Sequence, residues 1–437
     1  MKRSWLRTII GSILGLLLVA APFVTFAQEE ADRQEHEHDG NRLTRGRLIF
    51  RFDTFGDEAF WGGTLQLHRA IEGARFGGVG AGVSPKTALG VGLKVDVDAL
   101  PNLLQRELRN GRVDLNDAGV TLALLKLNAV VGLKGEFQSG LRLQSIGIQC
   151  ALCHSTVDNS LAPGIGHRLD GWANRDLNVG SIISLAPDLS AVASLLQVDQ
   201  ATVRKVLAAW GPGKFDAELF LDGKGFRPDG GSAATLIPPA FGLAGVNLHT
   251  WTGWGSIPYW NAFVAVLEMH GKGSFCDSRL SDPSQFPVAA RAGFDNVRDE
   301  PDLVSSKLPA LHQYQLALAA PKAPRGSFNE AAADRGSKVF QDARCNSCHV
   351  APTFSEPGWN LHTGRELGID DFQANRAPAR GYRTAPLRGL WTHLKGGFYH
   401  DGRFATLMDV VNHYDSQLGL HLSARDKSDL VEYLKSL

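Results

Sequence analysis

Hydrophobic positions recur with helical spacing at three places near the C-terminal end of the chain. In "SARDKSDLVEYLKSL" (423–437), Leu430, Leu434 and Leu437 share one face, and Ser423 with Asp426 three residues on is an N-cap signal, so a helix closes the chain. In "ATLMDVVNHYD" (405–415), Leu407, Val410, Val411 and Tyr414 follow the i, i+3, i+4, i+7 pattern. They share the buried face, and His413 is turned about 100° away toward Asn412 and Asp409. Met408 reads as packing. A third helix, Arg335 to Gln341, leads straight into a cysteine pair.

Further upstream, "VTLALLKLNAVV" (120–131) is interrupted by Lys126 and Asn128 and reads as a buried helix rather than a membrane span. "DALPNLLQRELRNG" (98–111) is a helix stopped by Gly111. "RGRLIFRFDTFGDEAFWGGTLQLHRAI" (45–71) suggests a strand or turn feeding a helix and carries no assignable chemistry.

The first residues break this pattern. Lys2, Arg3 and Arg7 precede an apolar run that ends in small residues at Ala27, as in an export signal over 1–27, and the periplasm is the expected destination. An uncleaved anchor is the alternative, although the run is shorter than the roughly 20 residues a spanning helix needs. Residues 28–45 are polar and aperiodic, a solvated linker in which His36 and His38 are incidental.

The 437 residues suffice for two or three domains, and 43% hydrophobic content is ordinary for globular proteins. Lys plus Arg and Asp plus Glu number 45 each, so no global field points to nucleic acid as a partner.

Four of the five cysteines fall in two copies of one pattern, "CALCH" (150–154) and "CNSCH" (345–349). Two thiols three positions apart can form thioethers with the vinyl groups of one porphyrin, and the following histidine then lies under the iron. A chance Cys-x-x-Cys-His in such a chain is expected on the order of once in several hundred, and two are far rarer. A zinc site is disfavoured because each motif lacks a local second pair, and a redox dithiol because no βαβ pattern lies nearby. Two covalent haem c groups are therefore expected: haem 1 on Cys150, Cys153 and His154, and haem 2 on Cys345, Cys348 and His349. Cys276 is left over as an inert thiol.

The stretches 238–271 and 385–415 share a proline start, a Gly-Leu pair, an aromatic or His turn with glycine, and an amphipathic helix, as an internal duplication would leave. The expected fold is mainly α: two cytochrome c-like haem domains related by a pseudo-twofold axis, with an extra N-terminal region. Their bounds are 46–325 for the haem 1 domain with its insertions and 326–437 for the haem 2 domain, with an Ala- and Pro-rich hinge at 316–327.

"CNSCH", "YRTAPLRGL", "FYHDGRFATL" and "DKSDLVEYLKSL" together resemble the bacterial di-haem cytochrome c peroxidases, including the di-haem enzyme that matures methylamine dehydrogenase. The resemblance is dense over 335–437, looser over 140–275 and absent over 28–139. It implies electron uptake from a small redox protein at haem 2 and reaction with hydrogen peroxide or another small oxidant at haem 1. It also implies a bridging tryptophan at Trp251, with Trp254 as competitor, an acid at Glu268, and a Ca²⁺ site using Thr384 and Pro386, with Asn174 as a candidate side-chain ligand. His167, thirteen residues past His154, is a candidate removable sixth ligand or else a loop histidine. Counting from "HDG" brings the second axial ligand of haem 2 to Tyr414, with His413 as the alternative. A di-haem oxygenase or protein-oxidising enzyme is the first rival; a substrate pocket over haem 1 lined by the insertion at 155–237 would favour it. A pure electron carrier is the second.

Overall fold

The computed structural model describes residues 40–437; the export signal expected at 1–27 lies outside the described residues, as does most of the linker. The last residues of that linker, 40–45, are helical and continuous with 46–52, so the polar composition there marks an exposed stretch of helix and not a tether. Ile49 and Phe50 of this helix are buried, and Gly46 packs so closely on the Ala310 carbonyl that a Cβ would collide with it. The strand or turn expected after residue 45 is thus helical. It is followed by a π turn, Ala59–Thr64, and a helix, Leu67–Glu72.

The fold is mainly α, and its strands come as two-stranded pairs. The longest pair, Leu133–Phe137 antiparallel to Leu143–Ile148, delivers the chain directly into the first Cys-x-x-Cys-His motif. Asp57 fixes that exit by accepting a hydrogen bond from the Ile148 amide at 3.2 Å. The helix expected within 120–131 spans Ala118–Lys126 and stops there, and Val130 instead pairs with Val95.

Near the C-terminus, helix Glu330–Asp342 crosses helix Ala424–Ser436. Contact is close because Gly336 lies on the Asp429 carbonyl, where any Cβ would clash, and Arg335 holds the Asp429 carboxylate at 2.6 Å. The first helix ends at Ala343, Arg344 turns through a left-handed conformation (φ 59°), and Cys345 follows. Helix Leu407–Leu418 starts at a capping box between Thr406 and Asp409 and packs on the closing helix. Ser423 caps the closing helix through the Asp426 amide, as its sequence predicts.

Two of the three main apolar clusters lie on one side of the boundary at 325, and the third crosses it. Ala377 packs with Phe50, Trp254, Phe263 and Leu311, so a segment of the C-terminal stretch returns into the N-terminal body. No helix among the described residues is long and apolar enough to cross a membrane.

Candidate haem sites

In the first motif the His154 Nδ1–H donates to the Pro238 carbonyl at 3.2 Å. A carbonyl can only accept, so Nδ1 carries the proton and Nε2 is left with its lone pair, the tautomer a metal-binding imidazole needs. Burial lowers the His154 pKa to about 4 and keeps the ring neutral. Burial also pushes the Cys150 and Cys153 thiols up to about 12, the opposite of the thiolate bias of a redox dithiol. Neither pairs in a disulfide.

The second motif repeats this arrangement. His349 Nδ1–H donates to the Phe354 carbonyl at 2.9 Å, and the Ala385 carbonyl lies near the same ring. The Phe354 carbonyl further accepts the Leu387 amide, so the segment from Thr384 through Pro386 runs along the imidazole. The residues present fit two c-type haems: each motif offers two unpaired thiols and an imidazole fixed through Nδ1 with Nε2 free.

Tyr414 lies at the second motif. Its neighbours include Cys345, Cys348 and the hydroxyl of Tyr399, and burial raises its pKa. Tyr399 shares the site at a ring distance of 6.2 Å, and its own buried hydroxyl makes no well-formed hydrogen bond. His413 is occupied elsewhere: its Nε2 donates to the Leu367 carbonyl at 2.7 Å. Met408 packs against the C-terminal core.

Glu268 ends a π turn, Val264–Glu268, that widens the preceding helix Ile257–Phe263. Both carboxyl oxygens are buried without a hydrogen-bond partner. Burial raises the Glu268 pKa well above the carboxylate range, and the nearby Glu218 and Asp216 raise it further, so the group is held as the neutral acid. Cys153 lies close enough for Glu268 to raise its pKa, which puts the acid beside the first motif. The N-terminal region, silent in the sequence, buttresses this segment. Trp61 Nε1–H donates to the Met269 carbonyl at 2.9 Å, and Phe60 stacks on His270 at 3.6 Å. Glu268 and His270 are the polar members of an otherwise apolar hollow lined by Phe60, Val192, Val203, Val206 and Phe215 among others.

Trp251 touches the surroundings of both motifs. Its indole donates to the Leu236 carbonyl at 2.8 Å, two residues before Pro238, and its own carbonyl accepts the Arg383 amide at 3.1 Å, one residue before Thr384. Trp254 belongs instead to an aromatic core with Tyr259, Trp260, Phe263 and Phe286.

Three candidates stand apart from these groups or are engaged by other contacts. His167 is exposed, and its Nδ1 pairs with Asp98 at 2.9 Å, the geometry of a loop histidine. Asn174 is buried against the first motif, its amide nitrogen donating to the Gly92 carbonyl at 2.9 Å and its oxygen unpartnered. Thr384 lies at the second motif, where its carbonyl accepts the Ser355 hydroxyl and its own hydroxyl donates to Glu356 at 3.1 Å. Sequence reasoning missed Glu356 and His362, which pair at 2.7 Å beside Cys348, and the buried Arg175 and Arg383. The arginine in "YRTAPLRGL" was visible as a motif residue; Arg175, in the insertion, carried no signal.

Comparison with known proteins gives distant similarities. No family model matches the chain. It is similar to the methylamine utilization protein MauG of Methylorubrum extorquens, 26% identical over 227 residues, 46% of this chain and 63% of that protein. It is also similar to hydrazine synthase subunit gamma of Kuenenia stuttgartiensis, 27% identical over 150 residues, 26% of this chain and 42% of the subunit. The matches therefore span less than two thirds of either relative. A solved structure of Kuenenia stuttgartiensis hydrazine synthase aligns with 51% of this chain and 86% of its own at 20% identity, with a TM-score of 0.28 that defines no common fold.

Proposed function

We propose that the chain is an exported di-haem c-type oxidoreductase, with haem 1 on Cys150, Cys153 and His154 and haem 2 on Cys345, Cys348, His349 and Tyr414. The similarity to MauG supports it and accords with the resemblance of residues 335–437 to di-haem peroxidases. When bound, the haems supply iron that takes up and passes on electrons. The chain's own contribution is carried by one observation, the buried, unpartnered and neutral Glu268 beside the first motif. A neutral carboxyl in a water-poor site donates a proton to an oxygen within hydrogen-bond reach, which is what cleavage of a peroxide O–O bond requires. Electrons come from a small redox protein at the haem 2 side, and Trp251, hydrogen-bonded toward both motifs, occupies the path between them.

The same reading relates the two halves by a pseudo-twofold axis, and three paired contacts support it. The Leu236 amide donates to the His400 carbonyl at 2.7 Å, as the Arg383 amide does to Trp251. The carbonyl of Pro238 faces His154 as that of Ala385 faces His349. Gly402 packs on Leu236 as Gly253 packs on Arg383.

Rapid mixing of the half-reduced protein with hydrogen peroxide tests this. Wild type turns over, whereas Glu268→Gln loses about a hundredfold in rate, the scale of general-acid catalysis; an unaffected variant removes the acid role. A second reading, oxidation of an organic substrate, is favoured by the apolar hollow, because Val192, Val203, Val206 and Phe215 all come from the 155–237 insertion.

A further inference from the structure

On the paired contacts just described, Leu236 to Pro239 in the first half correspond to Arg383 to Pro386 in the second. The second half thus carries a guanidinium where the first has an aliphatic side chain. Arg383 is anchored by Nε on the Thr250 carbonyl, and its buried Nη1 has no partner.

In the first half the insertion supplies an arginine at the same spot. A Cβ built on Gly396 would lie 2.9 Å from Leu236 Cδ2 and 3.4 Å from Arg175 Nη1, so the Arg175 guanidinium and the Leu236 side chain both border Gly396. Arg175 is 9% exposed, and its Nε, Nη1 and Nη2 all lack partners. Burial lowers its pKa to about 10, which leaves it charged at neutral pH.

An unpaired buried cation costs several kcal/mol, so three orphaned nitrogens mark a place for an anion. None of the described residues provides one. The adjacent Asp176 is engaged by Lys94 at 2.7 Å and by Lys395. The other titratable groups that feel Arg175 are His393 and Lys214, whose pKa values it lowers. The spot is also tied to the first motif: Asn174, next in sequence, donates its amide to the Cys153 carbonyl at 2.9 Å, and Leu236 precedes by two residues the Pro238 carbonyl that holds His154.

We propose that Arg175 binds a propionate carboxylate of haem 1, an arginine from the insertion taking the place that Arg383 occupies on the haem 2 side. It rests on the di-haem reading and on the pairing of the halves. The guanidinium forms charge-assisted hydrogen bonds to a planar carboxylate, the geometry for which arginine is suited.

The test uses the holoprotein. Haem is first counted in wild type by intact mass; a wild type without haem defeats the di-haem reading itself, before Arg175 is addressed. The thioethers keep the porphyrin attached in the variants, so the potential of each haem is then measured by spectroelectrochemistry. Arg175→Gln lowers the haem 1 potential, because loss of a nearby positive charge favours ferric iron, and leaves haem 2 in place. Arg175→Lys retains most of the wild-type value. Leu236→Arg added to Arg175→Leu restores it in part, a rescue that a purely structural role would not give. Unchanged potentials in Arg175→Gln, or a shift confined to haem 2, overturn the assignment; if Arg175→Gln does not fold, a haem 1 potential in Arg175→Lys displaced as far as in Arg175→Leu does so.

Discussion

Arg376 Nη1 lies 2.9 Å from the Asp216 carboxylate, and neither side chain is exposed. The same guanidinium binds Asp222 through Nε at 2.8 Å and Nη2 at 3.0 Å. An arginine from the C-terminal stretch is thereby sealed into the acidic floor near Glu268, where Asp216, Glu218 and Asp222 share one cation. Burial raises the Asp216 pKa to about 7 although Arg376 opposes the shift.

Removing this cation strands buried carboxylates. Arg376→Met is expected to destabilise the fold by about 3–5 kcal/mol, the cost of breaking a buried pair from one side. Urea denaturation followed by circular dichroism measures it. Lys338→Met, which breaks an exposed pair with Asp342, leaves the midpoint unchanged.

The acids also set a pH dependence. Folded Glu268 has a raised pKa, so between its unfolded value near 4.5 and its folded value the native state binds more protons than the unfolded state. Stability contributed by the neutral acid is therefore present at low pH and falls as pH rises through that window. Unfolding measured from pH 5 to 8 should show a falling curve in wild type and a shallower one in Glu268→Gln. Equal slopes would show that Glu268 is ionised in the fold.

What the sequence made legible follows from what is local. The Cys-x-x-Cys-His motifs, the Ser423 cap and the face of Leu407, Val410, Val411 and Tyr414 depend on spacing alone; the structure has the cap where it was expected, but of that face only Val411 is buried and the other three are half-buried. The Glu268 segment was found by resemblance, but its π turn and its support from Trp61 and Phe60 depend on contacts some 200 residues apart, which no local pattern records. Arg175 and Arg376 carried no signal in the sequence, because burial of an arginine is decided by partners distant in the chain. The helical stretch at 40–52 was hidden by the polar residues at 40–45.

Gly336 sits where helix Glu330–Asp342 meets the Asp429 carbonyl. Gly336→Val forces the two helices apart and is expected to cost about 3 kcal/mol, at the upper end of overpacking penalties, despite valine's better helix propensity than glycine's. A urea midpoint equal to wild type would mean that the crossing is looser than it stands.

Tyr414 faces the second motif while His413 is held by Leu367. Tyr414→Phe should raise the haem 2 potential and change its electron paramagnetic resonance signal, because a phenolate donor favours ferric iron. His413→Gln should leave both unchanged. The reverse pattern would transfer the ligand to His413.

Covalent attachment of two haems underlies every role proposed for the chain. Intact-mass spectrometry of the protein made in a host that matures c-type cytochromes measures it directly. The mature chain should carry two haem masses. Cys150→Ala with Cys153→Ala should carry one, as should Cys345→Ala with Cys348→Ala. A wild-type chain with one haem, or with none, contradicts the account.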